Sequence, residues 1–160
     1  DVTSVYVVTW GQTSAYLIYP KNMASTLGVQ HDDKGQVTSE LSTGLMEVFR
    51  DHFVIRCGVV VRDPRAIGRY ANIESSGPSN TFDEDLLIAL LNNMNTGAGT
   101  RIYCNETILT QMQIRMKDKN NVYFTPGGNA LSGEPPLYFA NVPIRPFSRE
   151  ILLNTEDAIT

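Results

Sequence analysis

The sequence predicts an α+β chain, strand-led in its first half and helix–strand–helix in its second. Two observations carry this reading. Residues 5–19 and 48–61 are rich in Val, Ile, Tyr and Phe, which favour strands. From residue 82 to 94 the period changes, and Phe82, Leu86, Leu87, Leu90, Leu91 and Met94 recur at helical spacing.

Taken in order, residues 5–19 are two β-rich runs joined around the turn chemistry of Gly11-Gln12-Thr13-Ser14 and closed by Pro20-Lys21-Asn22. The polar stretch 24–40 contains His31-Asp32-Asp33-Lys34-Gly35, which reads as a turn cluster. Residues 48–61 read as the strongest strand, ended by Pro64, and 72–80 as a loop. Thr81 and Glu84 match a capping box at a helix start, and Asn95 to Gly99 stops that helix with glycine. A short buried strand at 101–104 follows. Asn105 then caps a second helix whose apolar face is Ile108, Leu109, Met112 and Met116. Residues 117–121 read as a polar turn, 122–125 as a short strand, 127–136 as a Gly/Pro/Ser loop, and 137–145 as a strand interrupted at Pro143.

Composition narrows the class. The chain has 160 residues, 42% hydrophobic and 19% charged, and a globular chain of that length buries roughly two-thirds of its unfolded surface without disulfides or metal. The net charge of −4 lacks the clustered positive surplus of a dedicated nucleic-acid binder. Residues 1–20 lack the basic start and continuous apolar stretch of a signal peptide. No apolar run approaches the roughly 20 residues of a membrane span. Cys57 and Cys104 are too few for a secreted disulfide framework and suit a reducing compartment. Each lies in an apolar strand-like context, expected to be buried and unbridged.

Candidate chemistry is sparse. Cys104, His52 and Asp51 could make a nucleophile, base and orienting acid, but no nucleophile elbow surrounds either cysteine. Asp32 and Asp33 are adjacent, whereas a calcium loop spaces its acids at alternate positions. Gly97-Ala98-Gly99 and Gly127-Gly128 lack the phosphate-loop patterns. Asn105-Glu106-Thr107 fits a glycosylation acceptor, and the helix-cap reading is preferred. Neither catalytic residues nor a cofactor are expected. Arg62, Asp63 and Arg65, with Arg69 nearby, end a long apolar strand. There, bidentate arginine–carboxylate pairs could join strands or subunits, or the cluster is an exposed polar strand end.

Several blocks together carry a family likeness: Trp10-Gly11, Ile18-Tyr19-Pro20-Lys21, Val61-Arg62-Asp63-Pro64-Arg65, Asn72-Ile73, Pro143-Ile144-Arg145 and Asn154-Thr155-Glu156. In this order they resemble the major capsid proteins of tailed bacteriophages, in particular short-tailed (podovirus) coats. Pro64 stands where that pattern usually has tryptophan, and Asn22 where glycine or serine often follows Pro-Lys. The resemblance implies a Hong Kong 97-like fold, with this chain as the C-terminal half of a longer coat. It implies a non-enzymatic shell subunit, assembled in the bacterial cytoplasm into hexamers and pentamers around double-stranded DNA, without membrane contact. A decoration or cement protein is a further implied partner. The same fold also serves cellular nanocompartment shells, and a small ligand-binding or cysteine-hydrolase domain is the remaining alternative.

On this resemblance residues 1–73 are expected to be a strand-rich peripheral part, 74–80 a linker, 81–150 an axial-type helix–strand–helix–strand part and 151–160 a C-terminal segment. The segment order looks permuted, because the terminal-strand pattern of 5–67 precedes the helical pattern of 82–145. Residues 5–10, 15–19 and 53–61 are therefore expected to share one long-stranded sheet. The two helices should flank a separate small sheet containing 101–104.

Overall fold

The computed structural model describes residues 2–42, 44–77, 81–117, 124–126 and 137–159. It divides into two compact units, one formed by Asp1–Ala15 with Val61–Thr160 and the other by Tyr16–Val60.

The first unit is built on a six-stranded sheet. Its strands are β1 (Val2–Thr9), β6 (Ile67–Glu74), β7 (Thr100–Asn105), β8 (Phe124–Pro126), β9 (Leu137–Phe139) and β10 (Val142–Phe147), in the order β6-β1-β7-β10-β9-β8. β1 runs antiparallel to both β6 and β7, with Val7 opposite Ile102, and β10 runs parallel to β7 with Ile144 opposite Ile102. Alternation then sends Val5, Val7, Ile73, Ile102, Cys104 and Ile144 to one face, where all are buried. Helices α1 (Glu84–Asn93) and α2 (Glu106–Met116) contribute Leu87, Leu91, Ile108 and Met112 to the same core. This is a two-layer α+β arrangement, with the helices on one face of a mostly antiparallel sheet, as the sequence predicts.

Local signals explain several boundaries. Asn105 starts α2 as expected, its Oδ1 accepting from the Ile108 N–H at 2.9 Å. At α1 the cap is Asp83 rather than the expected Thr81: Asp83 is extended and its carboxylate accepts from the Asp85 N–H. Phe82 is buried against Tyr70 and Phe124, which draws the preceding chain into the core and leaves Asp83 at the helix mouth. No glycine ends α1; Met94, extended, donates its N–H to Leu90 O. The break in 137–145 falls at Ala140-Asn141, not Pro143. Both residues have positive φ (47° and 63°), the two-residue turn that matches strand twist. β10 tolerates Pro143 and Pro146 because its first half pairs only with β9 and its second only with β7.

The second unit holds most of β2 (Ala15–Ile18) and β5 (Gly58–Val61), which pair with each other, and all of the hairpin β3 (Val29–Leu41) and β4 (Gly44–Ile55). Gly28 is its sole buried residue among those described.

The expected sheet layout is corrected here. Residues 53–61 are not one strand, because β4 ends at Ile55 and β5 begins at Gly58. β5 does pair with β2, but β1 pairs with β6 and β7, so 101–104 lies in the same sheet as the N-terminal strand. β1 is buried along most of its length and needs a hydrogen-bonded neighbour on each side. The polar stretch 24–40 is mostly strand, and its turn chemistry appears instead as a bulge. Gly35 (φ 63°) donates its N–H to Asp33 Oδ1 at 2.7 Å, and the register shifts between Asp33 and Gln36. β6 was hidden by Pro64 and Asn72: the proline starts a 3-10 turn, Pro64–Ala66, and Asn72 (φ 62°) sits within the strand. Residues 118–121, 122–123 and 127–136, read as polar turn, strand start and loop, lie outside the described residues, as do 78–80 of the 72–80 loop.

Candidate assembly surface

Asp63 organises the end of β5. Its Oδ1 accepts from the Arg65 backbone N–H at 2.9 Å, and its Oδ2 accepts from the Asn95 amide at 3.1 Å. The Asn95 hydrogen bond first, then the Arg65 N–H, hold its carboxyl below the usual carboxylate value. The Arg65 guanidinium approaches the same carboxylate at 3.5 Å and is otherwise mostly in solvent. Arg62 donates to Gln12 O at 3.3 Å, while its backbone N–H bonds Ser14 O. Arg69 lies elsewhere, on the sheet face opposite the helices. It donates to Ser4 Oγ at 3.0 Å and Glu156 Oε2 at 3.1 Å, with its guanidinium 5.5 Å from the Tyr6 ring centre. The four residues are thus two groups: Asp63 and Arg65 at a tight turn with Arg62 beside it, and Arg69 on the sheet.

The signature blocks make long-range internal joints. Trp10 donates its indole N–H to Tyr103 Oη at 2.8 Å, and its backbone N–H bonds Gly99 O. Asn72 exchanges two hydrogen bonds of 2.8 Å with the backbone of Ile159. Asn105, fully buried, donates to Thr3 Oγ1 and to Asn154 Oδ1, and Asn154 donates to Thr107 Oγ1. Glu156 accepts from Ser4 Oγ, and its backbone N–H bonds Val2 O. The C-terminal segment is therefore laced to β1 and α2.

The hairpin is the opposite case. Phe49 is 86% exposed, Leu45 71%, Ile55 69% and Phe53 65%. A lone two-stranded hairpin is marginal in water, and several large apolar side chains exposed on one face mark a candidate interaction site. The sequence reading missed it because 24–40 looked like loop, which hid the partner of β4. The available signal was the placement of Leu45, Phe49, Phe53 and Ile55 at odd positions, which a strand sends to one face.

The geometry gives no support to a cysteine nucleophile. Burial pushes the Cys104 thiol up to about 12, so it is not a thiolate at neutral pH. His52 and Asp51 are neighbours on one strand and point to opposite faces, while Asp51 meets His31 Nε2 at 3.2 Å. Cys57, expected to be buried, is exposed in the gap between β4 and β5; both cysteines are free. Among the described residues, no group of three His, Cys, Asp or Glu side chains is placed to hold a metal. No helix among them is long and apolar enough to cross a membrane.

A family model for Major capsid protein GP7 matches residues 1–160. The chain belongs to this family. It is accordingly a structural capsid protein of the virion, and the role the family implies is not enzymatic. No curated protein matches the chain. Against this assignment the exposed hairpin makes sense: a subunit that works only among other copies can leave apolar surface for its neighbours to cover.

Proposed function

We propose that copies of this capsid protein build the closed icosahedral shell of a tailed phage, as hexamers and pentamers around double-stranded DNA. The observation that carries the reading is the family match along the whole chain. The ordered likeness to short-tailed phage coats supports a Hong Kong 97-like subunit with permuted segment order. In this scheme α1, β7 and α2 serve near the symmetry axes, and the hairpin serves the periphery. The boundaries 1–73, 74–80, 81–150 and 151–160 remain the proposed division of roles along the chain.

Arg62, Asp63, Arg65 and Arg69 are proposed as contact residues at the edges between subunits, where Arg65 is the most available because its guanidinium is largely in solvent. The net charge of −4 suits an inner surface that confines DNA without gripping it, since tight phosphate contacts would oppose release. Assembly is proposed to take place in the host cytoplasm, with a decoration protein as an additional partner. Electron microscopy of the complete protein expressed alone tests the reading: closed shells or hexamers support it. A strictly monomeric product under assembly conditions refutes it.

A further inference from the structure

The β3–β4 hairpin presents two faces of opposite charge. Strand alternation and the bulge place Asp33, Glu47 and Asp51 on the face that also carries Phe49 and Phe53. Two contacts fix this orientation: His31 stacks on Phe53 with ring centres 4.4 Å apart, and Thr38 donates to Glu47 at 2.7 Å. On the reverse face Lys34, Arg50 and His52 surround Val37 and line one depression. Asp32 pairs with Lys34 there, whereas Arg50 has no ion pair among the described residues.

Two details point to what covers these faces. Asp33 and Asp51 are direct cross-strand partners, a like-charge pairing that is unfavourable unless a cation approaches. His31 Nε2 lies 3.2 Å from Asp51 Oδ1. Lys34 and Arg50 sit at the same level of the hairpin on the other side. A second hairpin displaced by the sheet-to-sheet spacing of about 10 Å would lay its basic group over this acidic pair.

We propose that hairpins of neighbouring copies stack head to tail, the acidic aromatic face of one on the basic face of the next. The occupant of each face is a second copy of this chain. Such a contact is heterologous and closes into a ring when the rotation between copies allows. Nucleic acid is disfavoured as occupant, because carboxylates outnumber cationic side chains between residues 29 and 55. The arms, of 13 and 12 residues, are about 40 Å long at about 3.3 Å per residue. Each face then covers about 400 Å², less than the roughly 800 Å² per partner of a standard interface, so the stack supplements other subunit contacts. The proposal rests on the shell reading above.

Arg50→Asp, Asp51→Arg and the double swap, made in the complete capsid protein, test it. Within one chain each single change is favourable: a carboxylate at position 50 would face Lys34, and a guanidinium at position 51 would face Asp33. A role confined to the hairpin therefore predicts equal or higher subunit stability and unchanged assembly. Stacking predicts the reverse for assembly, since each single variant sets like charges against the next copy. The critical concentration for assembly should rise about tenfold in each single variant and return to within about twofold of wild type in the double, one tenfold step being about 1.4 kcal/mol. Residues 50 and 51 point to opposite faces, so rescue requires two copies. Wild-type shells with indifferent single variants, or a double no better than either single, overturn the stack alone. A wild-type protein that never assembles overturns the shell reading and the stack with it.

Discussion

Replacing Asn105 with alanine would open the joint between α2 and the C-terminal segment. The side chain is fully buried; its Oδ1 caps the helix at the Ile108 N–H, and its Nδ2 reaches Thr3 Oγ1 at 2.9 Å and Asn154 Oδ1 at 2.6 Å. Loss of the cap costs about 1 kcal/mol. Thr3, also buried, loses its donor at about 1–2 kcal/mol, and the half-buried Asn154 adds about 0.5–1. The expected loss is thus about 2.5–4 kcal/mol, a large part of the about 5–15 kcal/mol that holds a domain folded. For a urea slope of about 2 kcal/mol/M, the unfolding midpoint of the unassembled subunit should fall by about 1–2 M.

Asn105→Asp separates the cap from the network. It keeps the capping oxygen but turns a buried carboxylate toward the Asn154 and Leu152 oxygens, which raises its folded pKa above the unfolded value. Its stability should therefore approach wild type below the unfolded carboxylate pKa and fall as pH rises through the folded one. A midpoint shift under about 0.3 M for the alanine protein, or an aspartate protein as stable as wild type at neutral pH, would refute the reasoning.

The remaining predictions are local. A Cβ at residue 99 would lie 1.9 Å from the Trp10 carbonyl oxygen. Gly99→Ala should therefore cost about 3 kcal/mol or more, whereas Gly97→Ala, with open space around it, should stay within about 1 kcal/mol in the same thermal melt. A thiol reagent should modify exposed Cys57 in the native subunit and reach Cys104 only after unfolding; equal rates would contradict the burial of Cys104. Asp63 should titrate below the usual 3.8 by NMR, so its stabilising contribution is present above the unfolded pKa and is lost as pH falls through the lower folded value. Asn95→Ala should move that titration upward, and an unchanged curve would sink the assignment of cause.

By itself the sequence determined the elements whose causes are local. Asn105 caps α2 because its amide reaches an N–H three residues on, and the apolar spacing of Ile108 and Met112 follows from the same helical geometry. The ordered signature blocks also carried the capsid family, and Trp10, Asn72 and Asn154 among them bond to distant parts of the chain. What only the tertiary structure decided was strand partnership and exposure. β1 pairs with a strand more than ninety residues later, and no local pattern encodes that choice, because backbone hydrogen bonds are alike in every strand. Val5 and Val7 are buried while Phe49 and Phe53 stand in solvent, although each pair lies on one face of a strand rich in apolar residues. Alternation records that one face of a strand is apolar. Whether that face meets a helix of its own chain or awaits a neighbouring molecule depends on which surfaces the rest of the fold brings against it.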